Sequence, residues 1–136
     1  MSAFSVAKKL WFRTVFLNAM FVGISMIFSV DGIGILLAIG ILTVGYVVTL
    51  PLLLLIVPVI KISQKLPYNT VAKIAWVACG MVVIIVLFYT VFGWIIGGVF
   101  YAGTWLTILM DVTIGALLTT VWWIRKSFIT LYTSDY

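Results

Sequence analysis

The chain has 136 residues, of which 65% are hydrophobic and only 8% are charged, and its net charge is +5. A soluble domain of this size keeps much of its surface in water and carries roughly a quarter charged residues, so a soluble globular fold is excluded. The sequence contains no histidine and no glutamate, and Cys79 is its only cysteine. This composition excludes a histidine- or cysteine-rich metal site and paired-carboxylate chemistry, so we predict no metal, no cofactor and no enzymatic activity.

The first apolar segment covers residues 10–30. As a helix it would be about 31 Å long, which matches the roughly 30 Å hydrocarbon core of a bilayer. Lys8 and Lys9 precede it, as in a signal peptide, but the run is longer than a signal h-region and no small-residue cleavage site follows. We therefore predict a retained transmembrane helix, ended by the turn-forming pair Asp31-Gly32.

The second and third apolar segments cover residues 35–60 and 71–96. Pro51 lies inside the second, where a proline removes one backbone hydrogen bond, so a kink is expected near it. The connection between the two segments, residues 61–70, is the most polar stretch of the chain. We expect the side chain of Asn69 to cap the third helix.

The fourth apolar segment covers residues 104–124 and is followed by Arg125-Lys126. Gly97-Gly98 and Gly103 are expected to mark the turn before it. The last ten residues are expected to form a short tail, at the membrane interface or disordered. The sequence thus predicts an all-α integral membrane protein, residues 1–136, with four transmembrane helices in one bundle and short loops.

The distribution of cations predicts the orientation of this bundle. The eight lysines and arginines lie at three places in the sequence: at the start of the first segment, around the second connection, and after the fourth segment. Arg13 belongs to the first group and lies just inside the first segment. The positive-inside rule then places both termini in the cytoplasm, most naturally of a bacterial inner membrane. Arg13 and three tryptophans at the same level, Trp11, Trp122 and Trp123, are predicted to anchor the helices at the inner interface.

Asp111 is the acidic residue expected inside the membrane. It lies seven residues into the fourth segment, where a carboxylate costs roughly 2.5–3.5 kcal/mol on insertion scales. Thr104, Thr107, Gly115 and Leu118 share its helical stripe, which predicts that this face is turned inward. The side chain could form a proton or cation site, or a neutral hydrogen-bonded contact between helices, with Thr107 and Asn18 as polar companions.

Several small residues have the spacing that is typical of contacts between two helices. Gly93 and Gly97 form a GxxxG pattern, and Gly115 adds a small residue to the fourth helix. Such residues allow two helices to approach closely, so all three are predicted packing positions. Cys79 lies in an apolar run and is expected to be a small core hydrophobe.

These observations leave three functions open. A non-catalytic subunit or assembly partner of a larger membrane complex is favoured, because the chain is nearly all apolar helix and carries few reactive groups. A homo-oligomeric channel or a proton- or cation-coupled transport protein built around Asp111 is the first alternative. A toxin-immunity or holin-like protein, similar only in size and number of spans, is the second. The expected partners are the lipid bilayer and other membrane subunits or a second copy, and not nucleic acid, because the cations are few and lie beside apolar runs.

Overall fold

The computed structural model describes residues 2–27, 34–101 and 103–134, and almost all of them are helical. Five helices follow one another along the chain. They are α1 (Ala3–Ile27), α2 (Gly34–Lys65), α3 (Thr70–Tyr101), α4 (Gly103–Trp123) and α5 (Arg125–Thr133). The predicted all-α class is therefore confirmed.

Some of these helices are long and apolar enough to cross a membrane, so the chain is a membrane protein. Within the described residues, Leu42–Lys65 and Thr70–Ile95 qualify alone. The segments Thr107–Trp123 and Arg125–Thr133 are bent by 55° at their junction and qualify as a third span if they are counted together. α1 carries three cations in its first half, and the outer end of its predicted span falls at residues 28–30, outside the described residues.

Helices α2 and α3 are longer than their apolar segments. α2 continues to Lys65, through half of the connection predicted at 61–70, and α3 continues through Gly97-Gly98 to Tyr101. The third helix therefore ends later than predicted, although the break between α3 and α4 still lies between Gly98 and Gly103. In an apolar setting the helix itself offers the only partners for backbone N–H and C=O groups, which favours continuing the helix past glycine.

The start of α3 agrees with the sequence-based expectation. The backbone N–H of Ala72 donates to Asn69 Oδ1 at 2.8 Å. This bond satisfies one of the N–H groups that a helix leaves without a partner in its first turn. The predicted Asn69 cap is confirmed.

The prediction of a tail after residue 126 is wrong. Residues 125–133 form α5, and the side chains of Phe128, Leu131 and Tyr132 are buried. These three residues are spaced as i, i+3 and i+4, which places them on one face of a helix. α5 turns that face onto the ends of the neighbouring helices, which removes its apolar surface from the surroundings.

The four long helices pack as a ring in which α1 contacts α2 and α4, and α3 contacts the same two helices. The tightest packing lies at the end of the bundle where the N-terminus, the α2–α3 connection and α5 meet. Its fully buried members include Leu10, Ile56, Ile60, Val77, Leu117 and Phe128. Cys79 is exposed and not part of this core, contrary to the expectation from its apolar neighbours.

Candidate functional site

A cavity of about 460 Å³ lies between the four long helices. At one end the cavity is bounded by the tightly packed core. Ile56, Met81 and Ile85 line the cavity and also belong to this core. From there it extends along α2 as far as Leu36. The described residues that line it are almost all aliphatic or aromatic, and none of them is charged.

Two glycines of α2 help to shape this cavity. A Cβ atom placed on Gly45 would lie 3.4 Å from Val15 Cγ1, so α1 and α2 pack in ordinary contact there. A Cβ atom placed on Gly40, further along the same wall, would have no atom within 4 Å. Gly40 is exposed, so the cavity wall is open to the surroundings near this residue.

Two hydrogen-bonded pairs in the wall are satisfied within the protein. The indole Nε1–H of Trp11 donates to Thr49 Oγ1 at 3.1 Å, which joins α1 to α2. The oxygens of Tyr89 and Thr113 lie 2.8 Å apart and join α3 to α4. Each threonine hydroxyl also donates to the carbonyl four residues earlier in its own helix. Because the Thr113 proton is used in this way, Tyr89 is the donor of its pair.

Thr14 and Asn18 differ from these pairs. Both line the cavity from α1, one helical turn apart. Thr14 Oγ1 and Asn18 Oδ1 are buried and have no hydrogen-bond partner within the described residues. In contrast to Thr14, other threonines of the helices donate their hydroxyl proton to the carbonyl oxygen four residues earlier. They are Thr43, Thr49, Thr90, Thr113, Thr119, Thr120, Thr130 and Thr133. The Thr14 hydroxyl and the Asn18 carbonyl are thus two free polar groups on the wall of an apolar cavity.

The structure does not bring Asp111 to this cavity. Thr107, Asp111, Gly115 and Leu118 are all exposed on the outer face of α4. The expected inward orientation of their stripe is therefore wrong for these residues. The apolar periodicity of α4 is weak because the helix is hydrophobic on every side, so sequence spacing could not determine which face is buried.

Asp111 and Asn18, predicted as polar companions, lie on different surfaces. Asp111 points away from the bundle, whereas Asn18 Oδ1 is buried at the cavity. The α4 residues that line the cavity are Leu109 and Thr113, each two positions from Asp111. Sequence analysis named Asn18 but missed Thr14 and Thr113. The i, i+4 spacing of two polar residues in an otherwise apolar span was the one available signal for Thr14.

The predicted interface anchors form two cation–π contacts. The guanidinium carbon of Arg13 lies 4.6 Å from the ring centroid of Trp123, and that of Arg125 lies 4.6 Å from the ring centroid of Trp122. A guanidinium over an indole face is attracted by the ring quadrupole. The first contact joins α1 to the end of α4, and the second joins the start of α5 to the end of α4. Trp11, expected to be an anchor, instead lines the cavity.

The predicted packing glycines have different surroundings. Gly93 is buried within α3, as a close helix contact requires. Gly97 also belongs to α3, but its environment lies outside what the structure describes. Gly115 is exposed, and a Cβ atom placed on it would meet nothing within 4 Å. Of the two glycines whose surroundings are described, Gly93 is buried and Gly115 is exposed.

A polar cluster closes the packed end of the bundle. The oxygens of Ser63 and Tyr132 lie 2.6 Å apart, and Ser63 Oγ also donates to the Ile60 carbonyl at 2.6 Å. Tyr132 is therefore the donor to Ser63. Lys73 Nζ donates to the Gln64 carbonyl at 3.1 Å and lies 5.4 Å from the Tyr132 ring centroid. Burial raises the pKa of Tyr132 above its ordinary value, and the bond to Ser63 acts in the opposite direction.

Within the described part of the chain, no group of three histidine, cysteine, aspartate or glutamate side chains is placed to hold a metal ion. Comparison of the chain with protein-family models, with curated proteins and with solved structures finds no match in any of the three. The cavity and the exposed face of α4 are therefore the two candidate binding surfaces of the chain.

Proposed function

We propose that this chain crosses a bacterial cytoplasmic membrane four times, with both termini in the cytoplasm, and acts as a non-catalytic subunit of a larger membrane complex. The docking surface is the α4 face made of Thr107, Asp111, Gly115 and Leu118. The observation that carries the proposal is the exposure of Asp111 on this face, in the middle of an apolar helix.

The position of Asp111 on the outside of an apolar helix is energetically unfavourable in lipid. A carboxylate near the centre of a membrane helix costs roughly 2.5–3.5 kcal/mol on insertion scales, and such residues almost always face protein or a water-filled cavity. In the monomer, Asp111 is exposed on the outside of the bundle instead. A second protein packed on this face would give the carboxyl group a partner and remove it from lipid.

The shape of the same face suits a helix as the partner. Gly115 lies one turn from Asp111, and the space above its Cα is open. Small residues at this spacing let two helix backbones approach closely, which strengthens packing and interhelical hydrogen bonds. Thr107, one turn to the other side of Asp111, adds a further polar group to the exposed face. The partner helix would therefore cross α4 near Gly115.

The chemistry of Asp111 favours a different protein over a second copy. Two copies related by a twofold axis through this face would bring two Asp111 carboxyl groups together, and neighbouring carboxylates disfavour the charged form of each other. A helix that carries lysine, arginine or an amide at the same depth would pair with Asp111 directly. We therefore propose a partner with a hydrogen-bond donor, and preferably a cation, in its transmembrane helix.

A peptide of defined sequence tests this surface. A poly-leucine transmembrane peptide with one central lysine, and the same peptide without it, are reconstituted with the full chain in vesicles. Association is measured by energy transfer between fluorophores. We expect the lysine peptide to associate more strongly than the leucine peptide, and the difference to vanish in Asp111→Leu. The same weak association of both peptides with the wild-type chain would contradict the proposal.

A matched pair of glycine variants separates this surface from the cavity. Gly115→Leu fills the open space beside Asp111 and should weaken binding of the lysine peptide. Gly40→Leu fills open space in the cavity wall and should leave peptide binding unchanged. If both variants weaken binding equally, the α4 face is not the docking surface.

The four-span topology has its own test. Cys79→Ala gives a chain without cysteine, into which single cysteines are placed at Gly32, Gln64 and Ser134. A membrane-impermeant thiol reagent should label position 32 from outside intact cells, and positions 64 and 134 only after the membrane is opened. Labelling of positions 32 and 64 from the same side would rule out the proposed topology.

A further inference from the structure

The cavity between α1, α2, α3 and α4 contains two buried polar atoms in its wall that have no hydrogen-bond partner among the described residues. Thr14 is only 8% exposed, and its Oγ1 and the Oδ1 of Asn18 are both buried. Polar groups in protein interiors are nearly always hydrogen-bonded, and an unpaired one in apolar surroundings calls for an explanation. A bound molecule that supplies the missing bonds is such an explanation.

The cavity wall restricts the class of that molecule. The described lining residues carry no charge, so a charged head group would lose its hydration without gaining a counter-charge. Asn18 Oδ1 can only accept a hydrogen bond, whereas the Thr14 hydroxyl can donate or accept one. A hydroxyl group meets both requirements, because it donates to Asn18 and accepts from Thr14. The body of the molecule must be apolar to match the rest of the wall.

The route into the cavity points to the bilayer as the source. Among the lining residues of α2, Leu36, Val44 and Val48 are 71%, 60% and 36% exposed. These side chains belong both to the cavity and to the outer surface, so the cavity is open along α2. The opening is apolar, which suits a molecule already dissolved in lipid. The lining of α2 extends from Leu36 to Ile56, about 30 Å along a helix, which favours a long chain over a compact ring.

We infer that this cavity binds a neutral, long-chain alcohol-type lipid, with the hydroxyl group held between Thr14 and Asn18. The hydroxyl donates to Asn18 Oδ1 and accepts from Thr14 Oγ1, and the hydrocarbon chain lies against α2 and α3. This site is separate from the proposed docking surface of α4. It does not require the chain to be a subunit of a complex.

The probes are 2-bromododecan-1-ol, whose bromine is next to the hydroxyl-bearing carbon, and 1-bromododecane, added to the full chain in phosphatidylcholine vesicles. Bromine quenches tryptophan fluorescence on contact, and Trp11 lines the cavity. We expect saturable quenching by both probes, with the alcohol binding about tenfold more tightly, the change that one net hydrogen bond of roughly 1.4 kcal/mol produces. Equal affinity of the two probes in the wild-type chain would overturn the assignment of the hydroxyl.

Variants of the cavity wall complete the test. Thr14→Val and Asn18→Leu should bring the affinity for the alcohol down to that for the bromoalkane, while the bromoalkane still binds. Gly40→Leu adds a side chain to a residue that lines the cavity and should weaken saturable quenching by both probes. Gly115→Leu, the matched control on the outer face of α4, should change neither affinity. Saturable quenching that is unchanged in Gly40→Leu would show that the probes bind elsewhere and would overturn the inference.

Discussion

Replacing Thr14 by valine is expected to stabilise the ligand-free protein, although it removes a polar group from a helix. Valine has nearly the shape of threonine, so the change leaves no new void. The substitution removes the Thr14 hydroxyl, which is buried and has no hydrogen-bond partner in the described part of the chain. An unsatisfied buried polar group costs roughly 1–3 kcal/mol, so we expect the free energy of unfolding to rise by about 1–2 kcal/mol.

Thr120→Val is the matched control for this change. Thr120 is also fully buried in a long helix, but its hydroxyl donates to the Ala116 carbonyl at 2.8 Å. Losing a satisfied hydrogen bond costs about 0.5–1.5 kcal/mol, so the control should be destabilised. The same substitution is thus expected to have opposite signs at the two positions, because only one hydroxyl is bonded.

The assay is unfolding of the delipidated protein in mixed micelles by increasing sodium dodecyl sulfate, followed by circular dichroism. Removal of lipid matters, because a bound alcohol would satisfy Thr14 and hide the gain. A loss of stability in Thr14→Val as large as in Thr120→Val would refute the reasoning. It would mean that the Thr14 hydroxyl is bonded in the folded protein.

Three further predictions concern the packed end and Asp111. Tyr132→Phe should cost about 1 kcal/mol of unfolding free energy through the lost bond to Ser63. Because burial raises the pKa of Tyr132 above 10.0, wild-type stability should fall as the pH rises above about 10, and the variant should show a weaker fall, measured by unfolding between pH 8 and 11. Asn69→Ala should cost about 0.5–2 kcal/mol, and Asn69→Asp, which still caps α3, should not. Asp111→Asn should fold normally by circular dichroism and leave vesicles as impermeable to protons as the wild type.

Each of these predictions has a clear contrary outcome. Equal pH dependence in Tyr132→Phe and the wild type would assign the titration to another group. An equal loss of unfolding free energy in both Asn69 variants would show that the side-chain cap does not stabilise α3. Proton flux through wild-type vesicles that disappears in Asp111→Asn would replace the subunit role with a proton-coupled carrier.

The helices were predictable because their cause is local. Apolar runs such as 35–60 and 71–96 leave the backbone no partner but itself, and a helix satisfies it within one segment. The ends were less predictable. α2 continues through Lys61 to Lys65, and α3 continues beyond Gly97. Neither a cation nor a glycine is enough to end a helix that packs against neighbouring helices. α5 was missed because its polar residues suggested a tail, although Phe128 and Leu131 already had helical spacing.

The candidate sites depended on facts of a different kind. Asn18 could be named from its type and depth, and its spacing from Thr14 was a local signal for that residue. The sequence does not show that the Thr14 hydroxyl has no partner among the described residues, whereas the Thr120 hydroxyl is bonded. That difference depends on the packing of the helices. Asp111 was recognised as unusual from its position, while its outward orientation depends on which face of α4 meets the bundle.

Composition and order of residues were enough to place this chain in a membrane as helices, since burial in lipid is a property of each segment and of its backbone. The cavity, the two free polar atoms in its wall and the exposed carboxyl group of α4 arise only when the four helices are assembled. A helix that is apolar on every side carries no periodic signal for its inner face. The choice of face is made by contacts between segments far apart in the chain, and the two binding surfaces follow from that choice.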